Sequence, residues 1–291
     1  MPVIALGTFT PDVLPEDLIA ENRMNISVLE TSDVLDQTAT NAVKEAVKTS
    51  LGVGYRHIDS AYIYMTEKNI GQAFQETFSE GNLKREDVFY TTKLWCTFHQ
   101  PHLVRPAIER SLAALQMDYV DLLIIHHPIG LKPGDNLFPS DEKGAPLLDS
   151  VDYPQVWEVE CHPYLNQNTV LEFCKSNDIV LVAYGVLGSP TGASWLDPDC
   201  PSLLEDPVLI SIGEKYKKSP AQVSIRYILQ RGCVAIVKSF KPERMKQNLQ
   251  VFDFQLSEED MKAIDGLNKN LRYWKYKVWE NHPNYHYDKV E

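Results

Sequence analysis

Seven short runs rich in Val, Ile, Leu, Tyr and Thr punctuate the chain, at residues 3–9, 55–60, 88–94, 120–127, 156–161, 179–187 and 234–240. Each has the length and the β-branched or aromatic content of a buried strand. Between them apolar residues recur every three or four positions, the period of a helix packed on one face. Residues 39–51 place Val43, Ala46 and Val47 on one stripe, and 68–78 do the same with Ile70, Ala73, Phe74 and Phe78. Residues 102–117 align Val104, Ile108, Leu112 and Leu115, with Pro106 expected in the first turn, where a missing N–H is harmless. Residues 168–176 carry Val170, Leu171 and Phe173. Ser219-Pro220-Ala221-Gln222 opens another helix as a capping box, and Gly232 closes it. A helix over 242–248 follows the last strand, and Ser257 to Asp260 cap a final one running through Leu267. Strands alternating with helices predict an α/β fold on a parallel sheet, because parallel neighbours need a long crossover.

Two stretches break the alternation. Residues 10–37 are acidic and aperiodic, longer by about two dozen residues than an ordinary connection, and are expected to be a surface insertion or mistranslated flanking sequence. Residues 128–156 are rich in Gly, Pro, Asp and Lys with no helical period, so the crossover between the fourth and fifth runs is expected to lack its helix. Gly52-Val53-Gly54 precedes a strand where a dinucleotide loop would follow one, and it is a turn. The tail, 269–291, is dense in Tyr and Trp without a period, as in a packed loop.

Length and charge narrow the picture. The 291 residues, 44% hydrophobic, suit one barrel-sized α/β domain over 1–291 and contain no linker. A formal net charge of −12 argues against nucleic acid or an anionic membrane as partner, since both require a basic face. Five scattered cysteines with no C-x-x-C pattern point to reduced thiols and a cytoplasmic setting. No leader and no apolar span long enough for a bilayer is legible.

The chemistry lies at the ends of the runs. Asp59, Tyr64, Lys93 and His126 each follow or close one, and parallel sheets gather their chemistry at the strands' carboxyl ends. A phenol is a poor acid at neutral pH unless a cation stands beside it, which Lys93 supplies while Asp59 holds the ammonium charged. His126 can donate to a carbonyl oxygen. A basic cluster follows the last run: Lys238-Ser239-Phe240, then Arg244, Gln247 and Asn248 at i, i+3 and i+4 of one helix. A zinc reading of His57, Asp59, His126 and His127 would need three converging ligands beside a repelling Lys93. A serine hydrolase would need a G-x-S-x-G elbow, which is absent.

Gly54-Tyr55-Arg56-His57-Ile58-Asp59-Ser60-Ala61 with Tyr64, then Thr92-Lys93-Leu94-Trp95, then Ile125-His126-His127-Pro128, resembles the aldo-keto reductase family. Within it the chain is similar to the hydroxysteroid dehydrogenase and rho-crystallin-like branch, and the likeness runs from Met1 to Glu291 with two breaks, at the stretch after Phe9 and ahead of Val159. It implies a (β/α)8 barrel and NADPH-dependent reduction of steroids, prostaglandins or aromatic aldehydes. Tyr64 would be the proton donor, assisted by Lys93, His126 and Asp59, in the small-molecule site of a monomer. The resemblance further implies that Thr8, Phe9, Asp59, Tyr184, Leu187, Ser189, Lys238, Ser239, Phe240, Arg244, Gln247 and Asn248 bind the cofactor. In it Tyr184 stacks on the nicotinamide, and Lys238 with Arg244 reads the 2′-phosphate. Ile63, Trp95 and Trp195 would line the substrate pocket with Tyr64 and His126. Relatives carry about forty residues ahead of the counterpart of Val159, more than the ~30 of one βαβ unit, so this barrel is expected to hold about seven strands. The same loss leaves a catalytically impaired variant, or a non-enzymatic crystallin-like protein, as the alternative.

Overall fold

The amino-terminal apolar run forms β1 (Ile4–Gly7), buried along its whole length. The structure, a computed structural model, describes residues 3–9, 37–149, 158–177, 179–188, 200–282 and 285. The expected insertion over 10–37 lies outside these apart from residue 37, as do Ser189 and Trp195. Contacts divide the chain into two units, one from 6–156 with 277–285, the other from 1–5 with 157–276 and 286–291.

In the first unit β1 is followed by α1 (Gln37–Val53), β2 (His57–Asp59), α2 (Glu67–Ser79), β3 (Phe89–Leu94), α3 (Pro101–Leu115) and β4 (Leu122–Ile125). The strands are parallel in the order β4-β3-β2-β1, with Leu6 opposite Ile58, Ile58 opposite Tyr90 and Thr92 opposite Leu123. Among the described residues each crossover holds the helix that the apolar stripe predicted. Lys44 and Lys48 of α1 clasp Glu76 of α2 at 2.8 and 2.6 Å. Gly71 is required where α2 meets α3, since a Cβ there would stand 2.3 Å from the Leu115 carbonyl oxygen. The sheet-to-helix core is filled by Leu51, Tyr55, Ile58, Ile70, Phe74, Tyr90 and Leu115.

Pro106 departs from expectation. The helix begins at Pro101, so Pro106 is already past the first turn. Its missing N–H therefore removes an internal hydrogen bond on the exposed face of α3. After β4 comes no helix but a small antiparallel ribbon, β5 (Gly130–Leu131) with β6 (Leu148–Asp149).

The second unit runs β7 (Glu158–Glu160), α4 (Asn168–Ser176), β8 (Val182–Tyr184), α5 (Pro207–Tyr216), α6 (Pro220–Gln230), β9 (Val234–Val237), α7 (Pro242–Leu249) and α8 (Glu258–Asp265). Its strands follow the order β7-β8-β9, and the amino-terminal arm joins through Ala235 N–H to the Val3 carbonyl at 2.9 Å. The two expected capping boxes form, Ser219 with Gln222 and Ser257 with Asp260. Helix α5 was not anticipated, although Asp206 accepts from Val208 N–H ahead of Pro207, a legible start signal. Among the described residues the parallel strands number seven, as the run count predicted, and they fit the incomplete (β/α)8 class that the resemblance implied.

Candidate active site

Three neighbouring parallel strands bring the expected tetrad to one edge of the first unit. Asp59 ends β2, Lys93 lies one residue from the end of β3, and His126 directly follows β4. Tyr64 closes a 3₁₀ turn, Tyr62–Tyr64, which Met65 terminates at φ 56°.

Lys93 Nζ donates to Asp59 Oδ1 at 2.5 Å and to the Ser60 carbonyl at 2.9 Å. Both side chains are buried, a state that an ion pair tolerates only with further hydrogen bonds and good geometry. The Asp59 carbonyl in turn accepts from Thr8 N–H and Thr8 Oγ1, each at 3.0 Å. The Lys93 ammonium stands 5.4 Å from the centroid of the Tyr64 ring. That ring also meets Phe9, tilted at 5.1 Å, and His126, edge-on at 5.4 Å.

The His126 backbone N–H donates to the Leu94 carbonyl at 3.1 Å, which fixes the imidazole beside the β3 end. Burial, reinforced by His127, Lys93 and His99, pushes His126 well below the ordinary histidine range. It is neutral at pH 7, so it has one N–H to donate and one lone pair. Among the described residues its Nδ1 is buried without a hydrogen-bond partner.

An aromatic wall surrounds this edge. His127 stacks on His126 at 4.5 Å, and Trp95 approaches His126 at 5.5 Å. Phe138 packs on Trp95 at 5.2 Å, and the Trp95 indole N–H donates to the Leu137 carbonyl at 2.7 Å. Ile63 and Trp95, expected in the substrate pocket, are both buried on this side. Trp279, from the tail that read as a packed loop, stands 4.9 Å from His127. Sequence reasoning had not singled out Trp279 or Phe138, because an aromatic in an aperiodic segment carries no period to aim it.

Of the expected cofactor residues, Thr8, Phe9 and Asp59 lie in the first unit, Ser189 lies outside the described residues, and the others belong to the second unit. Tyr184 ends β8 and meets Trp274 edge-on at 5.6 Å. Gly185 follows at φ +67°, and a Cβ there would lie 2.5 Å from the Trp274 ring, so only glycine admits this approach. Leu187 stands two residues on. After β9, Lys238 is exposed with its ammonium 5.2 Å from the Phe240 ring, and Ser239 Oγ accepts from the Lys241 N–H at 3.1 Å. On α7, Arg244 and Gln247 are exposed while Asn248 is buried. Two exposed cations beside a helix amino terminus and a serine hydroxyl are a donor set suited to a phosphate group.

Glu160 is a buried carboxylate that sequence reasoning missed. Its Oε1 accepts from the Tyr273 N–H at 2.6 Å and lies 3.0 Å from His162 Nε2, while Oε2 accepts from the Trp274 N–H at 3.3 Å. It anchors the tail segment that brings Trp274 to Tyr184. Among the described residues no three His, Cys, Asp or Glu side chains converge as metal ligands. Nor does any described helix have the length and apolarity to cross a membrane.

The chain matches the profile of the Aldo/keto reductase family over residues 29–149 and 145–269. It is 44% identical over 326 residues to "Dihydrodiol dehydrogenase 3" and to "Prostaglandin F synthase 1", both of Bos taurus, covering 98% of this chain and 94% of each relative. With "Aldo-keto reductase family 1 member C1" of Homo sapiens the identity is 42%, with the same coverage.

Proposed function

Because the chain belongs to the aldo/keto reductase family, we propose that it transfers hydride between NADPH and the carbonyl of a steroid, prostaglandin or aromatic aldehyde, with Tyr64 as proton donor. The observation that carries this reading is the buried Lys93–Asp59 pair beside the Tyr64 ring. A phenol, with a reference pKa of about 10, releases its proton reluctantly at neutral pH. A fixed cation nearby favours the phenolate, and a paired carboxylate keeps that cation charged and aimed. His126, being neutral, donates a hydrogen bond to the carbonyl oxygen and stabilises the negative charge that grows there. NADPH, when bound, supplies the hydride.

Lys238 and Arg244 are the residues we assign to the 2′-phosphate, through charge-assisted hydrogen bonds. Thr8, Phe9, Tyr184, Leu187, Ser189, Ser239, Phe240, Gln247 and Asn248 complete the proposed cofactor contacts. Ile63, Trp95 and Trp195 form the proposed apolar wall against the substrate. The protein on this reading is a cytoplasmic monomer.

A second reading concerns the competence of this chain. The alignments with the relatives run to 326 positions while taking in 98% of the 291 residues here, so part of each relative has no counterpart in this chain, and the two family matches overlap at 145–149. With seven parallel strands among the described residues, this supports the loss of one βα unit ahead of Val159 and a reductase of impaired activity.

Tyr64→Phe tests the donor assignment. Turnover should vanish while NADPH still quenches tryptophan fluorescence as in the unaltered chain. Turnover at the original rate would remove the assignment.

A further inference from the structure

Glu67 is a carboxylate that the proposed chemistry leaves without a task. It opens α2 and is 4% exposed. Acidic side chains in a first helical turn ordinarily reach into solvent. This one turns onto β3. Its Oε1 accepts from Thr92 Oγ1 at 2.6 Å and from the Tyr90 hydroxyl at 3.4 Å, and Ser111 of α3 is a further hydrogen-bond partner. Burial raises the carboxyl above its ordinary range, opposed by these hydroxyls and by Lys93.

The neighbours of this bond in sequence give it meaning. Glu67 lies in the turn after Tyr64, and Thr92 immediately precedes Lys93. Successive strand residues face opposite sides. Tyr90 and Thr92 meet Glu67, while Thr91 meets His57 at 2.9 Å and Lys93 meets Asp59. The Glu67–Thr92 bond therefore ties the turn that bears the phenol to the strand that bears the ammonium, from the side of β3 away from the Lys93–Asp59 pair. Bonds inside the turn, Tyr64 N–H to the Ala61 carbonyl and Met65 N–H to the Tyr62 carbonyl, set its shape but not its distance from β3.

We propose that Glu67 is a positioning residue: held by Thr92 and Tyr90, its carboxylate fixes the Tyr64 turn against β3 and so sets the separation of the Tyr64 phenol from the Lys93 ammonium. The proposal rests on the reading of Tyr64 as proton donor. Its effect follows from distance alone, since the influence of a charge falls with separation, and a reacting group displaced by about 1 Å can lose on the order of a hundredfold in rate.

The test is a titration of the full chain labelled at tyrosine ¹³Cζ, with the Tyr64 resonance identified by its absence in Tyr64→Phe. Glu67→Ala and Thr92→Val should still melt cooperatively, while the Tyr64 titration moves up by about one pH unit or more. Where turnover is measurable, kcat should fall about tenfold or more with KM for NADPH unchanged. Glu67→Gln, whose carboxamide oxygen still accepts from Thr92, should keep the Tyr64 titration within about 0.3 unit of the original. A folded Glu67→Ala or Thr92→Val chain with an unmoved Tyr64 titration would overturn the proposal. So would equal displacement in Glu67→Gln and Glu67→Ala, which would make the charge and not the position responsible. If Glu67→Ala does not fold, Thr92→Val and Glu67→Gln decide the matter. Failure of the donor reading is separate, because it would appear as turnover surviving in Tyr64→Phe whatever the titrations show.

Discussion

Lys93 Nζ and Asp59 Oδ1 lie 2.5 Å apart, with the lysine 3% and the aspartate 4% exposed. Two ions have left water for one another, so removing either strands the charge of its partner. Asp59→Asn should destabilise the fold by about 3 to 5 kcal/mol, the range for breaking a buried pair. Denaturant unfolding measures it, and a loss under about 1 kcal/mol would mean that Lys93 is stabilised by other groups.

Acid should weaken the protein through its histidines. Burial lowers His99 to about 4, His126 well below the usual range, and His282 below it. In the unfolded chain each binds its proton near pH 6.5, so as pH falls below that value the unfolded state gains protons that the native state refuses. Stability present at pH 7 is thus lost progressively between about pH 6.5 and 4, with His99 alone contributing about 2 kcal/mol at pH 5. Urea midpoints at pH 7.5 and 5.0 should show the fall, and His99→Gln should make it shallower. An unchanged midpoint at pH 5.0 would contradict the burial of these rings.

Cofactor choice should depend on Arg244. Charge-assisted hydrogen bonds contribute about 1.5 to 3 kcal/mol, so Arg244→Ala should weaken NADPH by roughly tenfold or more while barely altering NADH. Fluorescence titration with each cofactor separates the cases, and parallel losses for both would show that Arg244 does not read the 2′-phosphate.

Restoring a βα unit ahead of Val159 should raise both melting temperature and turnover. In the first unit β4 pairs only with β3, and in the second β7 pairs only with β8, so each leaves one backbone edge without a strand neighbour among the described residues. Unpaired edges expose N–H and C=O groups and invite association. Side-by-side melting and reductase assays of the two chains would decide, and equal values would show that the shorter chain is complete for its purpose.

The sequence alone determined the order of the elements and the company of the tetrad. The runs that end near Asp59, Lys93 and His126 are joined by segments of helical period, which predicts parallel strands, and parallel strands gather their carboxyl ends on the same edge of a sheet. The capping boxes at Ser219 and Ser257 were equally legible, because capping is a contact between residues three apart. Helix α5 carried its signal in Asp206-Pro207 and was overlooked. What the sequence did not carry were contacts made across long intervals by residues of ordinary type. Glu67 reads as an acid in a first helical turn until α2 packs on β3 and aims it at Thr92. Glu160 becomes an anchor only when Tyr273 and Trp274 return to it from more than a hundred residues away. Trp279 joins Trp95 and His127 for the same reason. Local periodicity fixes which face of an element is buried, but the partner on that face is chosen by tertiary packing, where shape and unsatisfied polar groups from distant segments must be matched together.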